Sequence, residues 1–551
     1  MISRSALTRG TQLALRRQAT GKTAQRGFAA AASEHSSYES TNIAGINVAS
    51  RDDHGPTTRL AIVAKAGTRY QPLPGLTIGL EEFAFKNTKK RSALRIVRES
   101  ELLGGQLSAF HTREALVLQA SFLREHLPYF AELLAEVVSE TKYTTYEFHE
   151  DVERVLALKK YKVEASALAL DDAHTTAFHT GLGAPVQLAS TVPVAEYLNE
   201  NTVAAFADAA YTKPNMAVVA DGASQAGLSK WIDQFFKDVS SSSQSSLNTT
   251  GSKYFGGEQR TAKPGPNAYI IAFPGYSLSS PSPELAVIVA LLGGQSNVKW
   301  APGFTLLSKA AAHAVGGHAR ATNYAYSDAG LLTIEIGGSA SAVRKIAEES
   351  VTGLKKVAAS GVSKEDLTKA IAKAKFDLLA ASELGGVGLV SSGTSLIHGQ
   401  QPIQFSSTLK SLESVTADKV KSAAKALLDG KATVVAVGDL HVLPFAEEIG
   451  LRLTLDIDRQ KRNLLLSKQH RRIITMAFAW KAAGISYNRY LAIAARAVRR
   501  SLKEDKRIIA ERRGESELRV AKWQNGKQGD PKNLAEANAA LAVENASAGS
   551  S

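Results

Sequence analysis

Two halves of the chain repeat short segments at a nearly constant distance, and this repeat constrains the fold more than any other feature. Three pairs of segments are 215, 215 and 216 positions apart: Leu116–Ala120 and Leu331–Glu335, Glu150–Val152 and Glu365–Leu367, Met216–Ala220 and Ala432–Ala436. A constant spacing over three separate segments indicates a duplicated domain of roughly 200 residues, which is an ordinary domain size.

The duplicated domain is predicted to mix strands and helices. Short β-branched runs such as Leu60–Ala64 and Tyr269–Ala272 predict strands. In Leu127–Glu140 the apolar residues recur with the spacing of an amphipathic helix. We therefore predict an α+β fold, with two homologous α/β-layer domains in tandem at 40–238 and 259–451. The serine-rich stretch between them, 239–258, is predicted to be a linker.

Composition removes several classes of site. The chain has no cysteine, which excludes disulfides, thiolate metal sites and a cysteine nucleophile. The net charge of +14 lies at the ends, because residues 1–33 carry +6 and residues 452–551 carry +11, which leaves −3 on residues 34–451. We therefore predict no nucleic-acid partner. The longest apolar runs are shorter than the roughly 20 residues of a membrane-spanning helix, so we expect membrane association only through partners.

The N-terminal 33 residues have the composition of a mitochondrial transit peptide. They are rich in arginine, serine and alanine and contain no acidic residue. Arg26 lies two positions before Phe28, and the small residue Ala29 follows, as in matrix processing signals. We therefore predict that residues 1–28 are removed after Phe28.

The segment 75–88 (GLTIGLEEFAFKNT) resembles the helix of the mitochondrial processing peptidases, whose zinc motif is H-x-x-E-H. In that motif two histidines one helical turn apart bind zinc, and the glutamate acts as the general base. In this chain Ile78 and Glu82 occupy the two histidine positions, and only Glu81 keeps the family residue. The resemblance thus implies two peptidase-like domains of the LuxS/metallohydrolase-like type with a degenerate site.

Nothing else in the sequence restores that zinc site. The position of the distal carboxylate ligand falls near Leu158 and Lys159, and the stretch 155–160 has no carboxylate. His111–Glu114 reads H-x-x-E, but Ala115 takes the last place of the motif. We therefore predict an inactive peptidase-like subunit with no catalytic residue, no metal and no cofactor.

Longer segments resemble the core-protein branch of this family, which belongs to mitochondrial ubiquinol–cytochrome c reductase (complex III). The matching segments span about 45 to 450: Tyr70–Pro72, Leu107–Val117, Ala177–Pro185, Tyr254–Glu258 and Leu291–Leu307. The resemblance implies a non-catalytic subunit with a structural and assembly role in electron transport. It implies core protein 1 and other complex III subunits as partners, and a peripheral place on the matrix side of the inner membrane.

Three glycines lie where the non-catalytic subunit of the processing peptidase has its glycine-rich loop. Gly293, Gly294 and Gly303 are all that remain of that loop in this chain. The loop of the relatives binds presequences. The sequence here favours a tight turn that uses the positive φ angles available to glycine.

The last hundred residues have a different character. Residues 476–525 resemble the epsilon subunit of mitochondrial ATP synthase, and they predict a basic helix. The resemblance implies contacts with the gamma and delta subunits of the stalk through Tyr487, Tyr490, Leu491, Val498 and Leu502. Residues 452–475 are predicted to be a linker or translated non-coding sequence, which makes the chain a gene-model fusion, and 526–551 a disordered tail.

Two alternatives compete with this interpretation. The first is a zinc peptidase, or the presequence-binding subunit of a mitochondrial processing peptidase. The second is a protein that binds RNA or lipid through its basic tail, since a short helix surrounded by arginine and lysine is also found in such proteins.

Overall fold

The computed structural model describes residues 37–451 and 453, except 162, 188–195, 243–246, 248–249, 295–302 and 384–385. The chain divides into two compact units, Met1–Leu455 and Asp456–Ser551, and the described residues all belong to the first. No helix of this described part is both long enough and apolar enough to cross a membrane.

The described residues of the first half form six strands and the helices that flank them. The strands are β1 (Glu39–Ile43), β2 (Ile46–Arg51), β3 (Thr57–Ala64), β4 (Gln106–His111), β5 (Leu116–Leu123) and β6 (Met216–Asp221). The α-helices are α1 (Leu76–Glu82), α2 (Ala93–Leu102), α3 (Leu127–Ser139), α4 (Thr145–Glu147), α5 (Glu153–Tyr161), α6 (Ala165–Phe178), α7 (Glu200–Ala210) and α8 (Gln225–Phe235). A short π-helix, Phe148–Val152, joins α4 to α5.

The second half repeats this succession with one strand fewer. Its strands are β7 (Gly257–Ala262), β8 (Asn267–Pro274), β9 (Gly317–Ala325), β10 (Gly330–Gly338) and β11 (Thr433–Gly438). Its helices are α9 (Pro283–Leu292), α10 (Leu306–Ala312), α11 (Ala340–Ser360), α12 (Lys364–Glu383), α13 (Gly386–Ile397), α14 (Phe405–Glu413) and α15 (Ala417–Asp429).

The two sheets have the same topology. The first has the order β1-β2-β6-β3-β5-β4, and the second has the order β7-β11-β8-β10-β9. In each sheet one pair is parallel, β2 with β6 and β7 with β11, and the remaining pairs are antiparallel. Two of the three predicted repeat pairs lie in equivalent strands, since β5 corresponds to β10 and β6 to β11. The third pair lies in the π-helix Phe148–Val152 and in the first turn of α12. Strand β1 has no counterpart among the described strands of the second half.

The central strands of each sheet are buried on both faces. In β3, Leu60 and Ile62 point into a core formed with α1, α3, α7 and α8. Ala61 and Val63 point to the opposite face of the same sheet. Burial on both sides explains why the strand sequences are continuous apolar runs rather than alternating ones.

The second face of each sheet is covered by a helix from the other half. Helix α6 of the first half packs Ala169 and Ala173 against β8 and β11 of the second sheet. Helix α13 of the second half packs Leu389 and Leu396 against β3 and β6 of the first sheet. Because neither half covers its sheet by itself, we expect the two halves to unfold together.

The two ends of the segment predicted as a linker are packed in the two halves, one end in each. Val239 is buried in the first core. The hydroxyl of Tyr254 lies 2.8 Å from Thr433 Oγ1, and strand β7 begins at Gly257. The serine-rich stretch therefore connects two residues that are already packed, and only its central part lies outside the described residues.

Candidate functional site

The degenerate motif lies on α1, and its first position is part of the core. The helix follows Gly75, whose φ of 96° is in the left-handed region where a side chain is strained. Ile78 is only 3% exposed and packs in the first core. An aliphatic core residue therefore occupies the position that the sequence prediction assigns to the first zinc-binding imidazole.

The glutamate that the motif retains is bonded to a histidine from a neighbouring strand. His111, the last residue of β4, lies beside Glu81 with its Nδ1 at the carboxylate Oε2. Both side chains are largely buried, at 8% and 16% exposure. This contact favours the tautomer in which Nδ1–H donates to the carboxylate. Glu81, which the sequence prediction assigns to the base position of the motif, thus forms a hydrogen bond within the protein.

The structure brings no metal-binding cluster together in the described residues: no three His, Cys, Asp or Glu side chains lie close enough to hold an ion. His111–Glu114, read in the sequence as H-x-x-E, is not helical. Thr112 and Ala115 close a turn in which Thr112 N–H donates to the Ala115 carbonyl at 2.7 Å. This turn directs Glu114 away from His111 and toward the second half.

An ionic cluster that sequence analysis missed joins the two halves. Arg69 Nη1 donates to Glu114 Oε1 at 2.6 Å and to Asp328 Oδ1 at 2.8 Å. Its Nη2 donates to Asp328 Oδ2 at 2.7 Å and to the Thr250 carbonyl at 3.0 Å. Ser327 N–H donates to Glu114 Oε2 at 2.9 Å. One guanidinium thus binds both halves and the connecting segment.

The electrostatics of this cluster follow from its burial. Burial by itself raises the pKa of Asp328, but the hydrogen bonds from Arg69 and from Ser252 N–H outweigh it and lower that pKa to about 2. Burial raises the pKa of Glu114, and the hydrogen bonds from Ser327 and Arg69 lower it by less than burial raises it. Glu114 and Asp328 occupy equivalent places in the two halves, since each lies two positions before a strand, β5 and β10 respectively.

His398 lies next to this cluster, and its pKa predicts how the stability of the chain depends on pH. Burial, with Lys65 and Arg69 nearby, lowers its pKa from 6.5 to about 4. The unfolded chain therefore binds the proton more readily, so this histidine's contribution to stability is complete above pH 6.5 and falls as the pH drops toward 4. We expect wild type to lose about 3 kcal/mol over that interval through this residue. Urea unfolding of wild type and of the His398→Gln variant, each at pH 7.5 and at pH 4.5, measures this loss of free energy of unfolding.

The outcome depends on the difference between the two proteins, because other groups titrate in the same interval. We expect the His398→Gln variant to lose less free energy of unfolding than wild type between the two pH values. Equal losses would mean that the imidazole keeps an ordinary pKa in the folded chain. His313→Gln is the control, since His313 is largely exposed and lies on the surface beside Glu349.

A second buried ion pair lies under the cluster. Arg113 Nη2 contacts the Asp171 carboxylate, and its Nη1 donates to the Leu182 carbonyl at 3.2 Å. Asp171 also accepts hydrogen bonds from the main-chain N–H groups of Val186 and Gln187, at 3.3 and 2.9 Å. This pair fixes the chain that follows α6, where the predicted family segment 177–185 lies.

A neutral histidine bridges the halves beside that pair. His174 Nδ1–H donates to the Leu170 carbonyl at 2.8 Å, so its Nε2 accepts the hydroxyl of Tyr326 at 2.7 Å. Burial, with Arg113 nearby, lowers the pKa of His174 well below its usual range. The imidazole therefore joins α6 to the second half as a neutral hydrogen-bonding group.

The three glycines of the remnant loop have separate roles. Gly293 ends α9 with φ 65°, and a Cβ there would lie 2.4 Å from Thr305 Cγ2. Gly303 has φ 78°, and Gly294 forms a bridge with Arg320. Residues 295–302, between them, lie outside the described residues.

Other predicted site residues also lie outside the described residues. They are the processing residues Arg26, Phe28 and Ala29, and the stalk-contact residues Tyr487, Tyr490, Leu491, Val498 and Leu502. For these the sequence predictions stand as predictions.

Three family profiles match different parts of the chain. That of the insulinase family (Peptidase family M16) matches residues 47–189, and that of the peptidase M16 inactive domain matches residues 197–374. The profile of the mitochondrial ATP synthase epsilon chain matches residues 478–526. The predicted fold class, two tandem peptidase-like α+β domains, is thereby confirmed.

Individual relatives cover the same region. Cytochrome b-c1 complex subunit 2, mitochondrial, of Neurospora crassa is 68% identical over 454 residues, which are 82% of this chain and 100% of that protein. Its namesake in Cryptococcus neoformans is 37% identical over 425 residues, 75% of this chain and 94% of that protein. Mitochondrial-processing peptidase subunit alpha of Solanum tuberosum is 26% identical over 424 residues, 74% and 83% of the two chains.

Proposed function

We propose a function from one premise: the chain belongs to the family of the mitochondrial cytochrome b-c1 complex subunit 2 proteins. Residues 29–451 are proposed to form core protein 2 of ubiquinol–cytochrome c reductase. They would act as a non-catalytic subunit at the mitochondrial inner membrane. The observation that carries the proposal is the 68% identity to the Neurospora crassa protein over its entire length.

The proposed role is structural, and the degenerate site supports it. A peptidase of this family needs two imidazoles on one helix, whereas here Ile78 is a core residue and Glu81 is bonded to His111. We propose core protein 1 and other complex III subunits as partners, and the matrix side of the membrane as the location. The motif residues and the relatives' names support this role over zinc peptidase or presequence-binding activity.

The test is replacement of the resident subunit 2 in a fungal strain that lacks it. We expect a tagged full chain to co-purify with the other subunits of the complex and to restore ubiquinol–cytochrome c reductase activity. Core-protein function would be refuted if the chain accumulated in mitochondria as a free protein while reductase activity stayed absent. The peptidase alternative instead predicts stoichiometric zinc in the purified chain and cleavage of presequence peptides.

The C-terminal segment is proposed to be a separate protein, an epsilon subunit that contacts the gamma and delta subunits of ATP synthase. Its family match begins two residues after Met476. A flexible linker of the 24 residues 452–475 reaches only about 25–30 Å on average, at ~5–6 Å × √n. Since the resemblance places the epsilon subunit on a rotor, such a tether to a fixed complex would obstruct rotation. The basic-tail alternative, RNA or lipid binding, predicts steeply salt-dependent affinity in 476–551.

Peptide mass spectrometry of mitochondria from the source organism distinguishes one protein from two. We expect a protein N-terminus at Met476 or Ala477 and another at Ala29. We also expect no tryptic peptide Leu453–Arg459 (LTLDIDR), since it spans the proposed junction. Detection of that peptide in a band near the mass of the complete chain would establish a true fusion.

A further inference from the structure

A cavity of about 760 Å³ lies between the two halves, next to the ionic cluster. It is bounded by β4 and β5 of the first sheet, by β9 of the second, and by the exchanged helices α6 and α13. Most of its lining is apolar, with Phe110, Leu170, Val387 and Val390 among the lining residues. Cavities of this size and character are typical sites for small molecules.

Two amide side chains of the lining, those of Gln119 and Gln187, have no hydrogen-bond partner among the described residues. In β5, Leu116 and Leu118 point into the first core, whereas Val117 belongs to the opposite face. Because side chains alternate along a strand, Gln119 shares the face of Val117, and it lines the cavity. Its amide has no hydrogen-bond partner among the described residues, which leaves both its N–H groups and its carbonyl available.

The charged groups at the cavity wall are already paired. Arg113 is bonded to Asp171, and Glu114 to Arg69 and Ser327. His174 is held between Leu170 and Tyr326 in its neutral form. Among the described residues of the wall, no unpaired charged side chain is therefore available to neutralise an ionised ligand. Burying an unpaired charge in an apolar cavity is strongly unfavourable.

The hydroxyl groups of the wall are likewise occupied. On α13, Ser391 Oγ donates to the Val387 carbonyl at 2.7 Å, and Thr394 Oγ1 donates to the Val390 carbonyl at 2.8 Å. Of the two unbonded amides, that of Gln187 is exposed and that of Gln119 is half-buried, so Gln119 is the better-shielded partner for a ligand. An amide is matched best by a group that also both donates and accepts, such as a second amide.

We propose that this cavity binds an uncharged amphiphile, with an apolar body among the aromatic and aliphatic residues and an amide head group on Gln119. The site is independent of the proposed core-protein role, which requires no small molecule.

Three matched probes test the proposal on the purified full chain: 4-butylbenzamide, butylbenzene and 4-butylbenzoate. We expect the benzamide to bind saturably in a calorimetric or ligand-detected NMR titration. Its affinity should exceed that of butylbenzene by about threefold to tenfold, the range of one net hydrogen bond. The ionised benzoate should bind at least about tenfold more weakly than the benzamide.

Variants assign the binding to this cavity. Gln119→Leu should abolish the preference for benzamide over butylbenzene, whereas Gln106→Leu, an exposed residue of the same sheet on β4, should keep it. Ala167→Phe on α6 should fill the cavity and reduce binding of both uncharged probes, with an unchanged thermal transition as the check on folding. No saturable binding to wild type, a preference that survives Gln119→Leu, or undiminished binding to Ala167→Phe would each overturn the proposal.

Discussion

Replacing Arg69 with methionine is expected to lower the free energy of unfolding of the chain by about 3–5 kcal/mol. Arg69 is 7% exposed, and among the described residues of the cluster it alone supplies the positive charge between Glu114 and Asp328. Methionine preserves much of the volume but leaves two carboxylates facing each other in a largely buried place. Urea-induced unfolding, followed by circular dichroism, measures the loss.

The matched control is an arginine that joins two acids on the surface. Arg344 is hydrogen bonded to Glu348 at 3.1 Å and to Glu448 at 2.8 Å, but its side chain is 43% exposed. Surface pairs contribute about 1 kcal/mol or less, so Arg344→Met should change stability little. Similar small losses in the two variants would show that the inter-half cluster is hydrated and contributes no more than a surface pair.

The duplicated architecture was predictable from the sequence because equivalent strands keep their spacing. The pairs Leu116–Ala120 with Leu331–Glu335 and Met216–Ala220 with Ala432–Ala436 lie in β5 with β10 and β6 with β11. A buried strand needs an apolar run in each copy, so the pattern survives divergence of the individual residues. Helix α3 was likewise predicted to within one residue, because its apolar spacing is regular.

The contacts that join the two halves were not predictable from the sequence. Helix α6 is alanine-rich, and its sequence gives no sign that Ala169 and Ala173 pack on the sheet of the other half. Arg69 and Asp328 are 259 positions apart, and single polar residues in turns carry no periodic signal. Long-range polar contacts depend on the assembled fold, so sequence patterns identify the elements but not the ionic cluster between them.

The degenerate zinc site could be predicted only in part. The sequence prediction assigns Ile78 and Glu82 to the two histidine positions, but it does not reveal the partner of Glu81, because His111 lies 30 positions away. The histidine reaches the helix from β4, where Leu107 and Ala109 share its face toward the first core. A strand residue thus holds the carboxylate that the sequence prediction assigns to the base position of the motif.

The close packing of α13 on the first sheet depends on Gly393. A Cβ on this residue would lie 2.4 Å from Val63 Cγ2 and 2.9 Å from Val63 Cβ. Both Val63 and its neighbour Val219 are fully buried in the first sheet, so neither can move away easily. Only glycine allows the helix to approach the sheet this closely, and any larger residue must separate the two.

Gly393→Val is therefore expected to destabilise the chain by about 3 kcal/mol or more, at the upper end of the cost of overpacking a core. Gly386→Val is the control in the same helix, since no atom of the described residues lies within 4 Å of a Cβ there, and it should be nearly neutral. Val63→Ala removes the methyl groups that the introduced valine would meet, so the double variant should recover part of the loss despite the cost of Val63→Ala itself. Additive losses in urea unfolding of the single and double variants would mean that α13 is not seated on β3 through Gly393.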